Sequence, residues 1–287
     1  MPDNTGVVVN WVEQGLVPDR VVRLGIRRLL KARLVELNDS DPAVTAELTQ
    51  AFASSLRDAP LALLPEKANE QHYEVPAAFF AEVLGPHRKY SACWWPDSAR
   101  TLAQAEAAAL QATCERAGLV DGQDILELGC GWGSLTLWMA AHYPNSQITA
   151  LSNSRSQGDC IREQAAQRGL PNVHVVTCDF NDFATSAHFD RIVSVEMFEH
   201  MRNYDTLMQN IAHWLTPGGT LFVHIFTHRC YAYPFEIRDE SDWMAKYFFT
   251  GGIMPSDDIG KWTAATIKKL ANTGCKIWIE IAPKSNP

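Results

Sequence analysis

The feature that most constrains this chain is a short apolar strand that ends in an acidic residue and runs into three alternate glycines, Asp124-Ile-Leu-Glu-Leu-Gly-Cys-Gly-Trp-Gly133. Glycine has no Cβ, so a glycine-rich turn lets the backbone leave a strand sharply and approach a ligand closely. Ser134 then begins a predicted helix, whose N-terminal end favours negative charge. The pattern predicts a loop that binds a nucleotide cofactor, and an ordinary tight turn is the alternative.

The glycine spacing argues against a nicotinamide dinucleotide. A dinucleotide fingerprint needs a third glycine three residues after the second, and an acidic residue at the end of the next strand. Here position 134 is Ser, and the next predicted strand ends in Ser152 and Asn153. Glu127 precedes the glycines, near an amine that a ligand would carry, and Asn153 stands where a ribose would lie. This pairing suits S-adenosylmethionine, which has an amino acid end and a ribosyl end.

Length and composition exclude several classes of protein. The 287 residues allow one large domain, or one domain with a helical appendage. The formal net charge of -8 gives the chain as a whole no electrostatic footprint for nucleic acid, so no such partner is predicted. The seven cysteines contain no C-x-x-C pair, so we predict neither a disulfide framework nor a metal site. With no signal peptide or apolar span apparent, we expect a cytoplasmic protein and leave its oligomeric state open.

Hydrophobic periodicity predicts an α/β fold. Residues 7 to 60 have helical spacing, and short apolar strands alternate with helices from about residue 100 onward. Strands are predicted at 124–128, 147–151, 173–177, 190–195 and 219–226, and helices at 102–117, 134–142, 155–168 and 204–215. Residues 216–219, Thr-Pro-Gly-Gly, are expected to be the loop into the fifth strand, and residues 276–281 alternate like an edge strand. Such alternation is typical of a mostly parallel, Rossmann-like sheet.

We divide the chain into an N-terminal helical region (1–75), a cofactor-binding domain (76–230) and a short C-terminal cap (231–287). The cap is rich in aromatic side chains, which either wall a substrate pocket or pack as a small core. They are Tyr231, Tyr233, Phe235, Trp243, Tyr247, Phe248 and Phe249.

A basic stripe runs along the predicted N-terminal helix, formed by Arg20, Arg23, Arg27 and Lys31. A solvated helix face is one interpretation. The other is an interfacial helix that makes peripheral contact with an anionic membrane, since cations beside an apolar face are typical of such helices.

Chemistry-bearing residues follow the predicted strands, at the edge of the sheet where ligands bind in such folds. Asp179 would accept a hydrogen bond from an adenine amino group while Phe180 packs on the ring, and a helix cap is the alternative role of this acid. Glu196, Glu199 and His200 crowd into five residues after the fourth strand. Because crowded carboxylates raise one another's pKa and an imidazole accepts protons, this segment is the predicted catalytic site. His224 and His228 either face the same crevice or are core residues.

These residues resemble a known family, the S-adenosylmethionine-dependent methyltransferases similar to cyclopropane fatty acid synthases, and most of all its coclaurine N-methyltransferase branch. The motifs that carry the resemblance are the glycine run, Gln71-His-Tyr-Glu-Val-Pro76, Phe79-Phe80, Tyr90-Ser91, Ser194-Val-Glu-Met-Phe-Glu-His-Met201 and Phe248-Phe-Thr-Gly-Gly252. The resemblance implies a class I methyltransferase fold. It also implies cofactor contacts from Tyr90, Ser91, Gly129, Gly131, Ser152, Asn153, Gln157, Asp179, Phe180 and Val195, and catalytic roles for Glu196, Glu199 and His200.

Two departures from the family pattern bear on the substrate. Lipid-cyclopropanating members have Cys after the Tyr-Ser pair and Gly at position 196, whereas this chain has Ala92, Cys93 and Glu196. Glu196 therefore favours the amine branch. After Asp258 the family continues for many tens of residues, but only 29 follow here.

The leading hypothesis is N-methylation of a small amine. The first alternative is methylation or cyclopropanation of unsaturated fatty acyl chains of phospholipids. The second is a catalytically idle homologue that binds the cofactor.

Overall fold

The computed structural model describes residues 5–37, 42–63, 77–91, 93–239, 242–258 and 274–281. Three expectations lie outside these residues: the motif at 71–76, the position of Ala92, and most of the tail after Asp258.

The fold is built on a parallel sheet. The strands are β1 (Asp124–Leu128), β2 (Gln147–Ser152), β3 (Val173–Thr177), β4 (Phe189–Val195), β5 (Leu215–Ile225), β6 (Tyr233–Pro234), β7 (Ile253–Met254) and β8 (Lys276–Ile281). Among the described residues, the main sheet has the order β3-β2-β1-β4-β5-β8 with every neighbouring pair parallel, while β6 and β7 form a separate antiparallel pair. The direction of winding reverses between β1 and β4, which is where ligands bind in open α/β sheets.

Helices connect and cover these strands. They are α1 (Thr5–Glu13), α2 (Asp19–Leu37), α3 (Pro42–Ser55), α4 (Ala77–Val83), α5 (Leu102–Arg116), α6 (Ser134–His142), α7 (Arg155–Gln167), α8 (Tyr204–Trp214) and α9 (Trp243–Tyr247), with short 3-10 turns at Leu56–Asp58 and Phe198–His200. Side chains cap several of them: Ser154 accepts from the Gln157 N–H, and Asn203 accepts from the Thr206 N–H. These caps satisfy amides that the first helical turn leaves unpaired.

The predicted alternation of strands and helices is confirmed to within a few residues, and residues 276–281 do form the edge strand, paired with β5. The prediction of a loop at 216–219 is wrong, because these residues lie within β5. Leu215 already pairs with Phe189, and the register then jumps so that Arg191 faces Thr220. The intervening residues are accommodated as an irregularity in the strand.

The core joins the sheet to part of the N-terminal region. Leu126, Ile192 and Leu221 are fully buried on the central strands, and Leu56 and Leu61 pack into the same cluster. The Arg202 N–H donates to the Leu61 carbonyl at 2.7 Å. Ala53, Leu56, Leu61 and Ala62 thus belong to the main core, and the division of the chain near residue 75 stays a prediction.

Helix α2 has no buried side chain over its 19 residues. It carries six basic and two acidic residues, and large apolar side chains such as Leu24 (70% exposed) and Val35 (69% exposed) lie at the surface. Across the part of the chain that the structure describes, no helix is both long enough and apolar enough to cross a membrane.

Asn172 holds the α6 end of the sheet together. Its Nδ2 donates to the carbonyls of Ala140, Tyr143 and Ser146 at 3.0 to 3.2 Å, and the residue is 5% exposed. Asn172→Ala would remove this donor from all three carbonyls, of which the Tyr143 carbonyl keeps the Ser146 N–H. We therefore expect the free energy of unfolding to fall by about 1–3 kcal/mol in urea denaturation. The exposed control Gln167→Ala should change it by less than about 0.5 kcal/mol. Equal effects of the two substitutions would contradict this role.

Candidate active site

Two adjacent clefts open at the carboxyl ends of the central strands. The first is lined by Lys89, Tyr90, Ser91, Glu127 and Val195, and the second by Ser152, Asn153, Gln157, Phe180 and His200. Gly129, Gly131 and Glu196 line both. The structure therefore brings the predicted residues of four strand ends into one continuous site, with Glu196 at the junction.

The glycine turn is shaped by its neighbours. Gly129 has φ +80°, and a Cβ there would lie 2.6 Å from Cγ of Met197. Gly133, also at φ +80°, begins α6, and a Cβ there would lie 2.6 Å from Cγ1 of Ile161. Both positions need glycine because the backbone is left-handed and a side chain approaches closely. The turn of β1 and the turn after β4 can therefore come together.

Glu127 is buried in the wall of the first cleft. Its Oε2 accepts a hydrogen bond from Thr136 Oγ1 at 2.5 Å. Burial raises the pKa of Glu127 to about 8, and the Thr136 hydroxyl and the Lys89 ammonium partly oppose this shift. The carboxyl is therefore largely protonated at neutral pH, and it would ionise if a cation were bound beside it.

The second cleft carries polar groups of the kind that a nucleoside needs. Ser152 Oγ donates to Gln157 Oε1 at 3.0 Å, whereas Gln157 Nε2 is buried and has no hydrogen-bond partner in the described structure. Phe180 lines the cleft and packs edge-on against Trp214. Asp179 is the exception among the predicted contacts: it is not among the lining residues, and its Oδ1 accepts from the backbone and side-chain amides of Asn181.

Glu196 adopts a backbone conformation that is rare for a residue with a side chain. Its φ is +53°, and its N–H donates to the His224 carbonyl at 2.9 Å. The left-handed region is strained for non-glycine residues, and such strain clusters at functional sites. Glu196 Oε1 approaches His224 Nδ1 to 2.9 Å, although the contact does not have the geometry of a hydrogen bond. His224 thus reaches the site, as one of the two interpretations of this residue held.

Glu199 lies directly behind Glu196 and is fully buried. Its Oε1 accepts from the Phe226 N–H at 3.1 Å, and its Oε2 has no partner in the described structure. Burial, followed by the charge of Glu196, raises the pKa of Glu199 well above the usual range of a carboxyl group. Glu199 therefore favours its protonated form, since two carboxyl groups in contact resist ionising together.

His200 faces the second cleft and meets the aromatic cap. Its ring stacks on Phe249 with centroids 5.4 Å apart, and Phe249 also stacks on Phe235 at 5.1 Å. His228 serves the backbone instead, because its Nδ1 accepts from the amides of Cys230 and Tyr231. Of the three predicted catalytic residues, Glu196 and His200 line the clefts, whereas Glu199 supports them from the interior.

Some residues of the site escaped the sequence analysis. Lys89 lines the first cleft although it is buried, and Met197 and Thr250 line the second. Lys89 directly precedes the predicted Tyr90-Ser91 pair, and this position in the chain could have indicated that it lies at the site. Nothing in the sequence pattern separates Met197 from an ordinary core methionine.

The residues present fit S-adenosylmethionine. The glycine turn forms a cradle that a Cβ would fill, and the buried Nε2 of Gln157 is a donor without a partner in the described structure. Glu127 in the first cleft would face the amino acid end of the cofactor, and the second cleft would take its nucleoside end.

Comparisons with known proteins agree with this geometry. A family model described as mycolic acid cyclopropane synthetase matches residues 64–269. (S)-Coclaurine N-methyltransferase of Thalictrum flavum subsp. glaucum is 39% identical over 247 residues, which span 85% of this chain and 67% of that protein. The cyclopropane-fatty-acyl-phospholipid synthase of Escherichia coli (strain K12) is 33% identical over 65% of this chain and 46% of its own length. A crystal structure of coclaurine N-methyltransferase bound to N-methylheliamine and SAH matches with a TM-score of 0.84 and 33% identity, over 93% of this chain and 81% of that one.

The chain is a member of the mycolic acid cyclopropane synthetase family, a class of S-adenosylmethionine-dependent methyltransferases. The predictions of family, fold class, enzyme class and cofactor are thereby confirmed.

The burial of Glu127 predicts a specific dependence of stability on pH. In the unfolded chain this carboxyl ionises near its ordinary value of about 4.3, whereas in the folded chain its pKa is about 8. Between about pH 5 and 8 the unfolded chain has lost this proton and the folded chain has kept it, so stability falls as pH rises, by at most about 1.4 kcal/mol per unit. Glu127→Gln keeps an acceptor for Thr136 but cannot titrate, so urea denaturation across this range should show a shallower decline.

The exposed control Glu163→Gln should leave the pH dependence of stability as it is in the parent protein. Parallel curves for the parent and Glu127→Gln would show that Glu127 ionises normally in the folded chain.

Proposed function

We propose that this chain methylates the nitrogen of a small amine that carries an apolar or aromatic body. The observation that carries the proposal is the position of the Glu196–His200 turn, which brings an acidic residue and an imidazole to the junction of the two clefts. The amine assignment is further supported by Glu196, where lipid-cyclopropanating members of the family have glycine.

The cofactor supplies an activated methyl group on a sulfonium. The protein therefore has to bind the donor, align the acceptor nitrogen and handle one proton. We assign the amino acid end of the donor to the first cleft, with Tyr90, Ser91, Glu127 and Val195. We assign the nucleoside end to the second cleft, with Ser152, Asn153, Gln157 and Phe180, while Gly129 and Gly131 let the backbone approach both ends. Asp179 does not line this cleft, and its contact with the adenine stays a proposal.

Proton removal is the task of the Glu196–His200 turn. An alkylamine is mostly protonated at neutral pH, and it has a lone pair for methyl transfer only after a base accepts that proton. A Glu199 that already carries a proton cannot be the first acceptor. His200 and Glu196 line the clefts and are the groups placed to receive this proton, and Glu199 lies behind Glu196 in the interior.

The acceptor side of the site is apolar. Met197 and Met201 line the second cleft, and the ring of Phe249 is packed between His200 and Phe235. Aromatic faces attract both flat rings and cations, so this wall suits a protonated amine on an aromatic body. N-methylheliamine, which is bound in the structure of the coclaurine N-methyltransferase relative, is a compound that this wall would suit.

Replacing Glu199 and His200 together with Ala should separate catalysis from cofactor binding. We expect turnover with an amine acceptor to fall by about two orders of magnitude, because general acid–base catalysis is commonly worth that much. Affinity for S-adenosylhomocysteine, measured by calorimetry, should stay within a few-fold of the parent. His174→Ala, on the exposed face of β3, is the matched control and should retain activity. Unchanged turnover of the double variant would contradict the catalytic role assigned to Glu199 and His200.

Acceptor panels distinguish the remaining functions. The parent protein, incubated with a labelled methyl donor, should label amines with aromatic bodies. Labelling of unsaturated phospholipids and not of amines would support the lipid alternative instead. Cofactor binding with no labelling of either panel, or of a whole cell extract, would support the idle homologue.

We place the protein in the cytoplasm. None of the seven cysteines, all within the described residues, forms a disulfide, and a reducing compartment would keep them so.

We also propose that α2 makes peripheral contact with an anionic membrane. Its net charge of +4 contrasts with a chain of net charge -8, and its exposed apolar side chains would enter the headgroup region. Charge reversal of Arg20, Arg23, Arg27 and Lys31 to Glu should weaken binding to phosphatidylglycerol vesicles by about two orders of magnitude or more, since each cation near such a surface contributes about 1 kcal/mol.

Vesicle sedimentation is the measurement, with phosphatidylcholine vesicles as the neutral reference. Reversal of Arg155 and Arg162 on the surface of α7, together with Arg168 at its C-terminal cap, is the control and should leave binding intact. If the α2 variant sediments as well as the parent does, α2 does not contact lipid.

A further inference from the structure

Lys89 is a buried cation in the wall of the first cleft. The residue is 7% exposed, and its Nζ donates a hydrogen bond to Ser91 Oγ at 2.6 Å. Among the described residues no carboxylate oxygen lies within 4.0 Å of this ammonium. Lys89 therefore differs from most buried lysines in folded proteins, which are paired with an acid.

The backbone of Lys89 is held firmly in this position. The fully buried carboxylate of Glu106 accepts the N–H groups of Gly85, His87 and Lys89 at 2.9 to 3.0 Å. A Cβ on Gly85 would lie 2.3 Å from Glu106 Oε2, so the loop fits tightly around the acid. The ammonium is thus presented to the cleft by a fixed segment of chain.

An unpaired ammonium in this position is costly. Burial lowers the pKa of Lys89, and the acidic groups of Cys93 and Glu196 offset the shift only in part. A buried charge without a partner destabilises a fold unless an opposite charge or further hydrogen bonds compensate for it. The cleft is where such a compensating anion would enter.

The same cleft contains a group of opposite character. Glu127 lines it with Lys89, and the α6 N-terminus begins there at Ser134, with its unpaired amides. A carboxyl group and an ammonium on the walls of one cleft are complementary to a zwitterion, whose cation and anion are one carbon apart. The amino acid end of S-adenosylmethionine is such a zwitterion.

We propose that Lys89 binds the α-carboxylate of the cofactor while Glu127 faces its α-ammonium, an inference that rests on the proposed function of the two clefts. Lys89 is then a cofactor-binding residue, and Ser91 orients its ammonium. The pairing would also explain why a lysine is tolerated in the interior, since its counterion arrives with the ligand.

Comparing two ligands measures how much the α-carboxylate contributes to binding. S-adenosylhomocysteine carries it, and S-adenosyl-3-thiopropylamine is the same molecule without it. We expect the parent protein to bind the first more tightly in calorimetry. Lys89→Met should weaken binding of S-adenosylhomocysteine by about 10- to 100-fold, the value of a charge-assisted hydrogen bond, and should change binding of the amine by less than about threefold.

Control variants and stability readings complete the test. Arg88→Met removes the neighbouring cation of the same cleft and should preserve the preference for the carboxylate. Without ligand, Lys89→Met should unfold at the same temperature as the parent or higher, because an apolar side chain replaces an unpaired buried charge.

Equal weakening of both ligands by Lys89→Met, or a lower unfolding temperature, would assign Lys89 a purely structural role and overturn the proposal. If Arg88→Met lost the preference for S-adenosylhomocysteine over the amine and Lys89→Met kept it, Arg88 would be the residue that binds the carboxylate. That result would also overturn the proposal. Failure of the parent to bind either ligand would instead refute the proposed function itself, and this inference with it.

Discussion

The site depends on the parallel pairing of β1 with β4. Leu128 lies opposite Ser194 in the register, and Ser194 Oγ donates to the Leu128 carbonyl at 3.1 Å inside the core. Because both strands end at the same level, the glycine turn and the Glu196 turn leave the sheet side by side. Gly129 and Glu196, one from each turn, line both of the clefts above the sheet. Backbone pairing of the two strands therefore fixes the glycine turn and the Glu196 turn relative to one another.

The site also contains several ionisable groups that are buried. Glu127, Glu199 and Lys89 are almost completely removed from solvent, and in each case burial is the first cause of a shifted pKa. In a low-dielectric interior burial disfavours the charged form of each group, and a bound ligand of opposite charge would favour that form again. The site is thus prepared for charged partners at the expense of the stability of the empty fold, as is common where function and folding compete.

Much of this arrangement could be predicted from the sequence, and the failures have physical causes. The strands were found because their apolar runs are short and bounded by turn residues, and the site because parallel strands end at a common edge. The loop expected at 216–219 was wrong because Pro and Gly indicate an irregular backbone but do not show whether strand pairing continues on both sides of it. Here Leu215 already pairs with Phe189 before the irregular residues. Lys89 was missed since a lysine in sequence carries no sign of burial. That Glu199 lies behind Glu196 could not be read from spacing either, because the 3-10 turn Phe198–His200 sets their directions.

The two halves of the site come from different parts of the chain. The cofactor side is built on the long strands of the sheet, whereas Phe235 and Phe249 belong to the segment around the two-residue strands β6 and β7. Short strands offer few backbone hydrogen bonds, so this segment can be rebuilt by substitution without disturbing the sheet beneath it. If this segment holds the methyl acceptor, as we propose, small changes in it would alter the choice of acceptor and leave the donor side on the sheet intact.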